Sequence, residues 1–446
     1  MHVASTLSNA SLRKPKARLL ALLWRIGAAA VARTRRIPWR LLTSVAGGSL
    51  VLHFLGRNLC GSPWEIARLT ANVVATTIKT VLAYIARGCK PLYPNWTFSF
   101  EVTRAVMRCG SELYGHRMAV ETYAKRVRNL SALFGTSLGL LYSRYHNTRV
   151  EPVVVNGLEH LWIKPATEKN DDNNNNDNRF VVVFYHGGGY ATLSPRLYIP
   201  FCNTFRWAIR DRLRASHGVA DPKVDFFLAN YRKIPEHPFP IPAQDAVAMY
   251  EYVVEQCNVP PNRIIIAGDS AGGGLTMSTL LRLRDSKPRE YSPLAAIVIC
   301  PMASLLKAKE FVPPPHCVVS ASLIDSCIAA LHKTVHDPTT WLDASPVHCD
   351  LRGLSPVQVH TASLDYLHSH SQDLFEKAQR DGVTDWELDV QQDMPHVFTV
   401  FPTLMLPQAL VGIQSMAAFA AKHFHRAVVE SKPLRETTTK HGYEAE

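Results

Sequence analysis

The sequence predicts an α/β protein: a mostly parallel central sheet flanked by helices, set behind an N-terminal helical region. Two near-continuous apolar runs carry that reading, Phe180 to Tyr185 (FVVVFY) and Arg263 to Ala267 (RIIIA). Strands buried on both faces lose the alternation of a half-exposed strand, so runs of this kind belong at the centre of a parallel sheet. Each run ends in a glycine-rich loop, and a helix-like stretch, Leu275 to Leu283, follows the second. Short β-branched runs, loops and helices recur from Val153 onward.

The chain has 446 residues, which corresponds to about three domains at ~150 residues each. With 47% hydrophobic and 19% charged residues, it has the composition of a globular protein and enough apolar material for a large core. Nine cysteines lie at long intervals (60, 89, 109, 202, 257, 300, 317, 327 and 349) with no C-x-x-C pair. That spacing argues against a zinc ribbon or a thiol-exchange centre and predicts mostly buried free thiols.

The net charge of +12 is unevenly placed: residues 1–150 carry 22 Lys/Arg against 4 Asp/Glu, and the remainder is mildly acidic. No acidic residue precedes Glu65. A basic, apolar head on an acidic body suits a membrane or targeting segment better than a nucleic-acid-binding domain, and no zinc-finger, basic-zipper or RNA-motif signature is present. Residues 1–90 hold three apolar stretches, Leu19 to Ala32, Leu41 to Gly56 and Ile66 to Ala86, each interrupted or flanked by basic residues such as Arg25, Arg40, Arg68 and Lys79. None reaches the ~20 clean apolar residues of a spanning helix. The expectation is a membrane-associated segment lying at an anionic surface. The endoplasmic reticulum is the expected membrane, with a mitochondrial transit peptide or a soluble, cytoplasmic cap as alternatives. Asn9, Asn95 and Asn129 head glycosylation triplets, which arise too often by chance to fix topology. Residues 91–150, with helical periodicity through Phe98 to Tyr114 and Met118 to Phe134, read as a helical cap, either a lid or plain packing.

Residues 151–430 form the expected catalytic body, followed by a polar tail at 431–446. Val153 to Val155 and Leu158 to Pro165 open it as a hairpin, and the Asn/Asp-rich run at 169–179 is too polar to pack, hence a loop insertion. The Phe180 to Tyr185 strand leads into His186-Gly187-Gly188-Gly189-Tyr190. Consecutive glycines let peptide N–H groups approach a ligand closely and receive the charge of a tetrahedral intermediate. The spacings of phosphate-binding loops, G-x-x-x-x-G-K and G-x-G-x-x-G, are absent. The second strand runs into Gly268-Asp269-Ser270-Ala271-Gly272 and a helix, the strand–turn–helix context that lifts a serine nucleophile above a sheet edge. In this architecture the acid and the base follow the serine in that order. Asp365 follows the strand-like Val357 to Thr361, and His396 follows the strand-like Trp386 to Val390, both at strand C-terminal ends where such enzymes gather their chemistry. The competitors are His360, His368, His370, His423 and His425 for the base and Asp373, Asp381 and Asp393 for the acid.

These motifs resemble the hormone-sensitive-lipase-like branch of the α/β-hydrolases, which includes arylacetamide deacetylases and steryl acetyl hydrolases. The resemblance covers roughly residues 150–425: HGGGY at 186–190, YRKIPEHPFPIPAQDA at 231–246, GDSAGGG at 268–274, SPV at 345–347, SLDYL at 363–367 and MPHVF at 394–398. It implies an α/β-hydrolase fold with Ser270 as nucleophile, His396 as base, Asp365 as acid and the N–H groups of Gly188, Gly189 and Ala271 as oxyanion hole. His186, Gly187, Tyr190, Asp269, Glu236 and His237 support the site, the last two by bracing it. Two departures from the family pattern stand out, Lys233-Ile234 for Leu-Ala and Thr361-Ala362-Ser363 for a glycine-containing turn. The implied activity is serine carboxylic-ester hydrolysis through an acyl-enzyme, on short-to-medium acyl esters of a lipophilic alcohol, without metal or organic cofactor. An amidase, deacetylase or transacylase on the same residues is the nearest alternative, and a non-catalytic ligand-binding receptor the next. The sequence leaves the oligomeric state open.

Overall fold

A computed structural model describes residues 58–166, 179–219, 221–305, 314–332 and 343–430. The apolar stretches Leu19 to Ala32 and Leu41 to Gly56, the Asn/Asp-rich run up to residue 178 and the polar tail lie outside the described residues.

Among the described residues, three α-helices precede the sheet. The first, α1 (Pro63–Ala86), starts where the Ser62 side chain accepts the Glu65 amide and Pro63 needs no partner for its missing N–H. The second, α2 (Phe98–Tyr114), is capped by Thr97, and α3 (Glu121–Tyr145) follows a short 3₁₀ turn. The helical reading of residues 97–150 therefore holds for two helices, but its last residues are strand.

An eight-stranded sheet follows, ordered β1-β2-β4-β3-β5-β6-β7-β8. Strands β1 (Thr148–Val155) and β2 (Leu158–Pro165) form the expected hairpin, with β1 five residues longer at its start than its apolar core. β2 also pairs antiparallel with β4 (Lys223–Ala229). From β4 through β3 (Arg179–Tyr185), β5 (Ile264–Asp269), β6 (Ala295–Ile299), β7 (Val357–Ala362) and β8 (Glu387–Gln391) every pairing is parallel. FVVVFY is thus a central strand, flanked by β4 and β5.

The period-2 geometry of a strand sends alternate residues to opposite faces. Val181, Val183 and Tyr185 enter one core with α5 (Ile241–Glu251), α6 (Ala271–Ser286) and α8 (His368–Arg380). Phe180, Val182 and Phe184 enter the other with α4 (Ile199–His217) and α9 (Gln408–Glu430). A smaller cluster, including Leu69, Val73, Val102, Val106, Tyr114 and Val127, joins α1, α2 and α3. One further helix, α7 (Ala321–His332), packs against the turn between α2 and α3, where Gly115 meets Leu323.

Candidate active site

The turn from β5 into α6 holds Ser270 at φ 52°, ψ −118°, a region costly for a residue with a Cβ and one that surrounding structure must enforce. The enforcing contacts are backbone hydrogen bonds: Ser270 donates to the Ile299 carbonyl (2.8 Å), and its own carbonyl accepts Met302 N–H (2.9 Å). Close packing around the turn explains the glycines of G-x-S-x-G. A Cβ at Gly268 would lie 2.3 Å from the Gly272 carbonyl oxygen, and one at Gly272 would lie 2.0 Å from that of Tyr185. Ser270 is buried with 6% of its surface exposed.

His396 and Asp365 meet at this turn from the loops after β8 and β7. His396 Nε2 is 3.0 Å from Ser270 Oγ, and Nδ1 is 2.7 Å from Asp365 Oδ1, which also accepts Leu367 N–H at 3.0 Å. The two loops are bound to each other. Leu364 N–H donates to the Met394 carbonyl (2.9 Å), Ser363 N–H to that of Gln391 (3.0 Å), and Asp393 N–H to Ser363 Oγ (2.8 Å). The Thr361-Ala362-Ser363 departure is thus accommodated: Thr361 and Ala362 finish the strand, and the serine hydroxyl ties the loop of Asp365 to that of His396.

The competitors are engaged elsewhere. His360 pairs with Asp389 (2.8 Å) and stacks on Phe398. His368 faces Thr361 Oγ1, His425 stacks on His217, and burial lowers the pKa of His370 and of His423 to about 4. Asp381 pairs with Lys377, burial raises the pKa of Asp373 in the absence of any ion pair among the described residues, and Asp393 offers its backbone to Trp96 Nε1 and Ser363.

Against this turn packs the His186–Tyr190 loop, with Gly188, Gly189 and Tyr190 all at positive φ (109°, 60° and 60°). No side chain fits at the two glycines: a Cβ at Gly188 would lie 2.5 Å from the Thr192 carbonyl oxygen and one at Gly189 2.3 Å from Cys327 Sγ. The amides of Gly188, Gly189 and Ala271 donate no hydrogen bond among the described residues, and Ala271, first in α6, has none to make within its helix. The loop is fastened to the turn by Asp269, whose carboxylate accepts Gly187 N–H (2.8 Å) and the Tyr198 hydroxyl (2.9 Å). Burial pushes the Asp269 pKa up to about 6, against the lowering effect of those donors. His186 is held neutral by burial; its Nδ1 sits 2.7 Å from the Gly187 carbonyl and its ring stacks on Tyr231, whose hydroxyl donates to the His186 carbonyl (2.8 Å).

Sequence reasoning missed the cap's part in this scaffold. Arg128 on α3 forks onto Glu236 (2.6 and 2.9 Å) while donating to the carbonyls of Ala191 and Ile234, so one side chain joins the cap, the glycine loop and the 231–246 segment. Glu236 is thus tied to the cap by Arg128, whereas His237 contributes its amide, donating to the Lys233 carbonyl (3.0 Å). Arg108 on α2 donates to the carbonyl of Val319 (2.6 Å) and, less closely, to that of Cys317, a residue whose thiol lies 4.0 Å from Asp365 Oδ1. An arginine in a helical pattern carries no mark of these distant partners, so no local signal announced them.

Comparison with known proteins places the geometry. Residues 182–400 match a family model described as an alpha/beta hydrolase fold. They are an α/β-hydrolase domain. The chain is 34% identical over 203 residues to an acetyl-hydrolase of Streptomyces hygroscopicus, covering 43% of this chain and 62% of that protein. It is 28% identical over 193 residues to an esterase of Acinetobacter venetianus, covering 43% and 62%. The chain thus spans less than two thirds of the length of these relatives. Among solved structures, an esterase from the bacterial hormone-sensitive lipase family superimposes with a TM-score of 0.54 at 28% identity, over 68% of this chain and 92% of that one. The resemblance read from the motifs is borne out, and the domain carries its glycine loop after β3 and its serine turn between β5 and α6.

The Asp269 carboxyl yields a pH test. Its folded pKa stands above the unfolded value, so its contribution to stability is complete below about pH 4 and is lost as pH rises through about 6. Asp269→Asn should flatten the pH dependence of the chemical-denaturation midpoint across that window. A slope identical to that of the unsubstituted protein would show that Asp269 titrates as an ordinary carboxylate.

Proposed function

We propose that this hydrolase domain is a serine carboxylic-ester hydrolase, working through an acyl-enzyme on short-to-medium acyl esters of a lipophilic alcohol. The observation that carries the reading is the continuous contact from Ser270 Oγ through His396 to Asp365 at 3.0 and 2.7 Å, facing a glycine loop with undonated amides. His396 takes the serine proton as Oγ attacks the ester carbonyl, Asp365 holds the imidazole and stabilises its cation, and the amides of Gly188, Gly189 and Ala271 receive the oxyanion. His396 then protonates the leaving alcohol, and water repeats the cycle to release the acid. The names of the relatives, acetyl-hydrolase and esterase, favour ester over amide substrates.

Ser270→Ala should lower kcat on a short acyl p-nitrophenyl ester by about 10⁴ to 10⁶ and abolish fluorophosphonate labelling without unfolding the protein. Retained labelling in that variant overturns the assignment. Asp365→Asn should cost about 10⁴ in kcat by favouring the wrong imidazole tautomer, and Asp373→Asn or Asp393→Asn far less. A crippled Asp373→Asn enzyme with an active Asp365→Asn enzyme would move the acid.

We further propose that residues 1–90 attach the enzyme to a membrane, that of the endoplasmic reticulum. By length and composition α1 is apolar enough to cross a bilayer. Its packing supports an in-plane position instead. Leu69 and Val73 are buried against the cap, while Trp64, Val74, Ile78, Leu82 and Ile85 are exposed, with Arg68 and Lys79 exposed at the same helix. Spanning would strip Leu69 and Val73 from their cluster and immerse both cations. Its start is anchored by the Glu65–Arg117 fork (2.6 and 2.8 Å). In cell fractionation the full chain should sediment with membranes at low salt and the chain from residue 91 should not. Full-length protein in the high-speed supernatant overturns the attachment.

A further inference from the structure

The proposed reaction uses His396 and one oxygen of Asp365, and it leaves a third group at the same point without a role. Cys300 follows β6 in the left-handed region (φ 47°), its amide donating to the His360 carbonyl at 2.7 Å, and its side chain is fully buried. Its sulfur, a carboxylate oxygen of Asp365 and an imidazole nitrogen of His396 all lie within 4.8 Å of one another. Its sulfur takes a long hydrogen bond from Val397 N–H at 3.5 Å and faces the Asp365 carboxylate. A second observation points to a ligand. Asp365 Oδ2 is buried with no hydrogen-bond partner, on a residue only 1% exposed, whereas Oδ1 takes the His396, Leu367 and Cys317 contacts. A buried carboxylate oxygen whose nearest neighbour is a weakly donating thiol is costly to keep charged, and a cation would satisfy it.

The donor set is the one selected by zinc and cadmium: thiolate, imidazole and carboxylate, bound at about 2.0 to 2.3 Å. Ligand atoms around a tetrahedral ion of that size are roughly 3.5 Å apart, so small side-chain shifts suffice. The charges also balance. One thiolate and one carboxylate neutralise a divalent ion, and a neutral assembly is what a buried site tolerates.

We propose that Cys300, Asp365 and His396 form a binding site for a thiophilic divalent cation, zinc or cadmium, whose occupancy switches the hydrolase off. On binding, the Cys300 S–H bond breaks, its proton leaves to solvent, an S–metal bond forms, and the ion sheds water as the carboxylate and imidazole enter; nothing is oxidised or reduced. Ligation through His396 Nε2 removes the base directly. Ligation through Nδ1 leaves the ring proton on Nε2, where it cannot accept the serine proton. The inhibition rests on the proposed esterase reading; the binding itself does not.

The full chain is the material for the test, in a Cys89→Ser background that removes the exposed thiol. Zinc should inhibit p-nitrophenyl ester hydrolysis, a chelator should restore it, and Cys300→Ser, with each protein scaled to its own zinc-free rate, should raise the half-inhibitory zinc concentration at least about tenfold. Binding is read separately in the Ser270→Ala protein. Cadmium should produce its ultraviolet thiolate-to-metal band, absent once Cys300→Ser is added, and X-ray absorption with one equivalent of zinc should show a sulfur neighbour near about 2.3 Å. The zinc measurement needs no cysteine variant at position 300 and stands if that variant fails to fold. Unchanged zinc inhibition in a folded Cys300→Ser enzyme, or a zinc shell without sulfur, overturns the proposal. Should the protein hydrolyse no ester, the spectra still decide the site, and only the esterase reading falls.

Discussion

Everything at the site depends on how closely the ends of β3 and β5 approach. These neighbouring strands pair through Tyr185 and Gly268, and just beyond that pair their chains turn so tightly that a side chain at Gly272 would run into the Tyr185 carbonyl. The approach is held by the Asp269 carboxylate, which reaches across to the Gly187 amide. A buried carboxylate is expensive, and here it is retained with two donors, a peptide N–H and a phenol. The consequence is geometric: the glycine loop is held against the turn that carries the strained serine.

A parallel sheet explains why the remaining groups come from so far along the chain. Every strand from β4 to β8 points the same way, so all their C-terminal ends open on one edge, and the loops after β5, β7 and β8 meet there. Hydrogen bonds between the last two loops, through Ser363, Leu364 and Met394, fix the separation of Asp365 and His396 before either touches the serine. The same convergence brings Cys300, at the end of β6, to Asp365 and His396.

The N-terminal helices do more than cover this edge. Arg128 and Arg108 reach from α3 and α2 into backbone carbonyls of the glycine loop, the 231–246 segment and the strap beside Asp365. Guanidinium groups suit that work because their planar set of donors satisfies several carbonyls at once. Movement of the cap would therefore be felt at the glycine loop, and α1 joins that cap through Leu69 and Val73 on one side while leaving an apolar stripe on the other.

Much of this was legible in the primary structure because it is written in local chemistry. FVVVFY and IIIA announce strands buried on both faces, glycines at 187–189 and at 268 and 272 announce turns that exclude side chains, and the order Ser270, Asp365, His396 announces which loops must meet. The weaker strands β4 and β6 and the start of β1 carried no such mark, since their assignment comes from pairing with neighbours distant in sequence. His360, His370 and His423 were separable from His396 only in three dimensions, where His396 alone among the described residues hydrogen-bonds Ser270 Oγ. The sequence by itself determined the fold class, the glycine loop and the nucleophile turn, because backbone sterics and hydrophobic periodicity act over a few residues. Only the tertiary structure decided which histidine and which carboxylate face the serine, what Arg128 and Arg108 hold, and that a cysteine from a third strand joins them, because those contacts depend on the sheet bringing chain segments a hundred residues apart to a single edge.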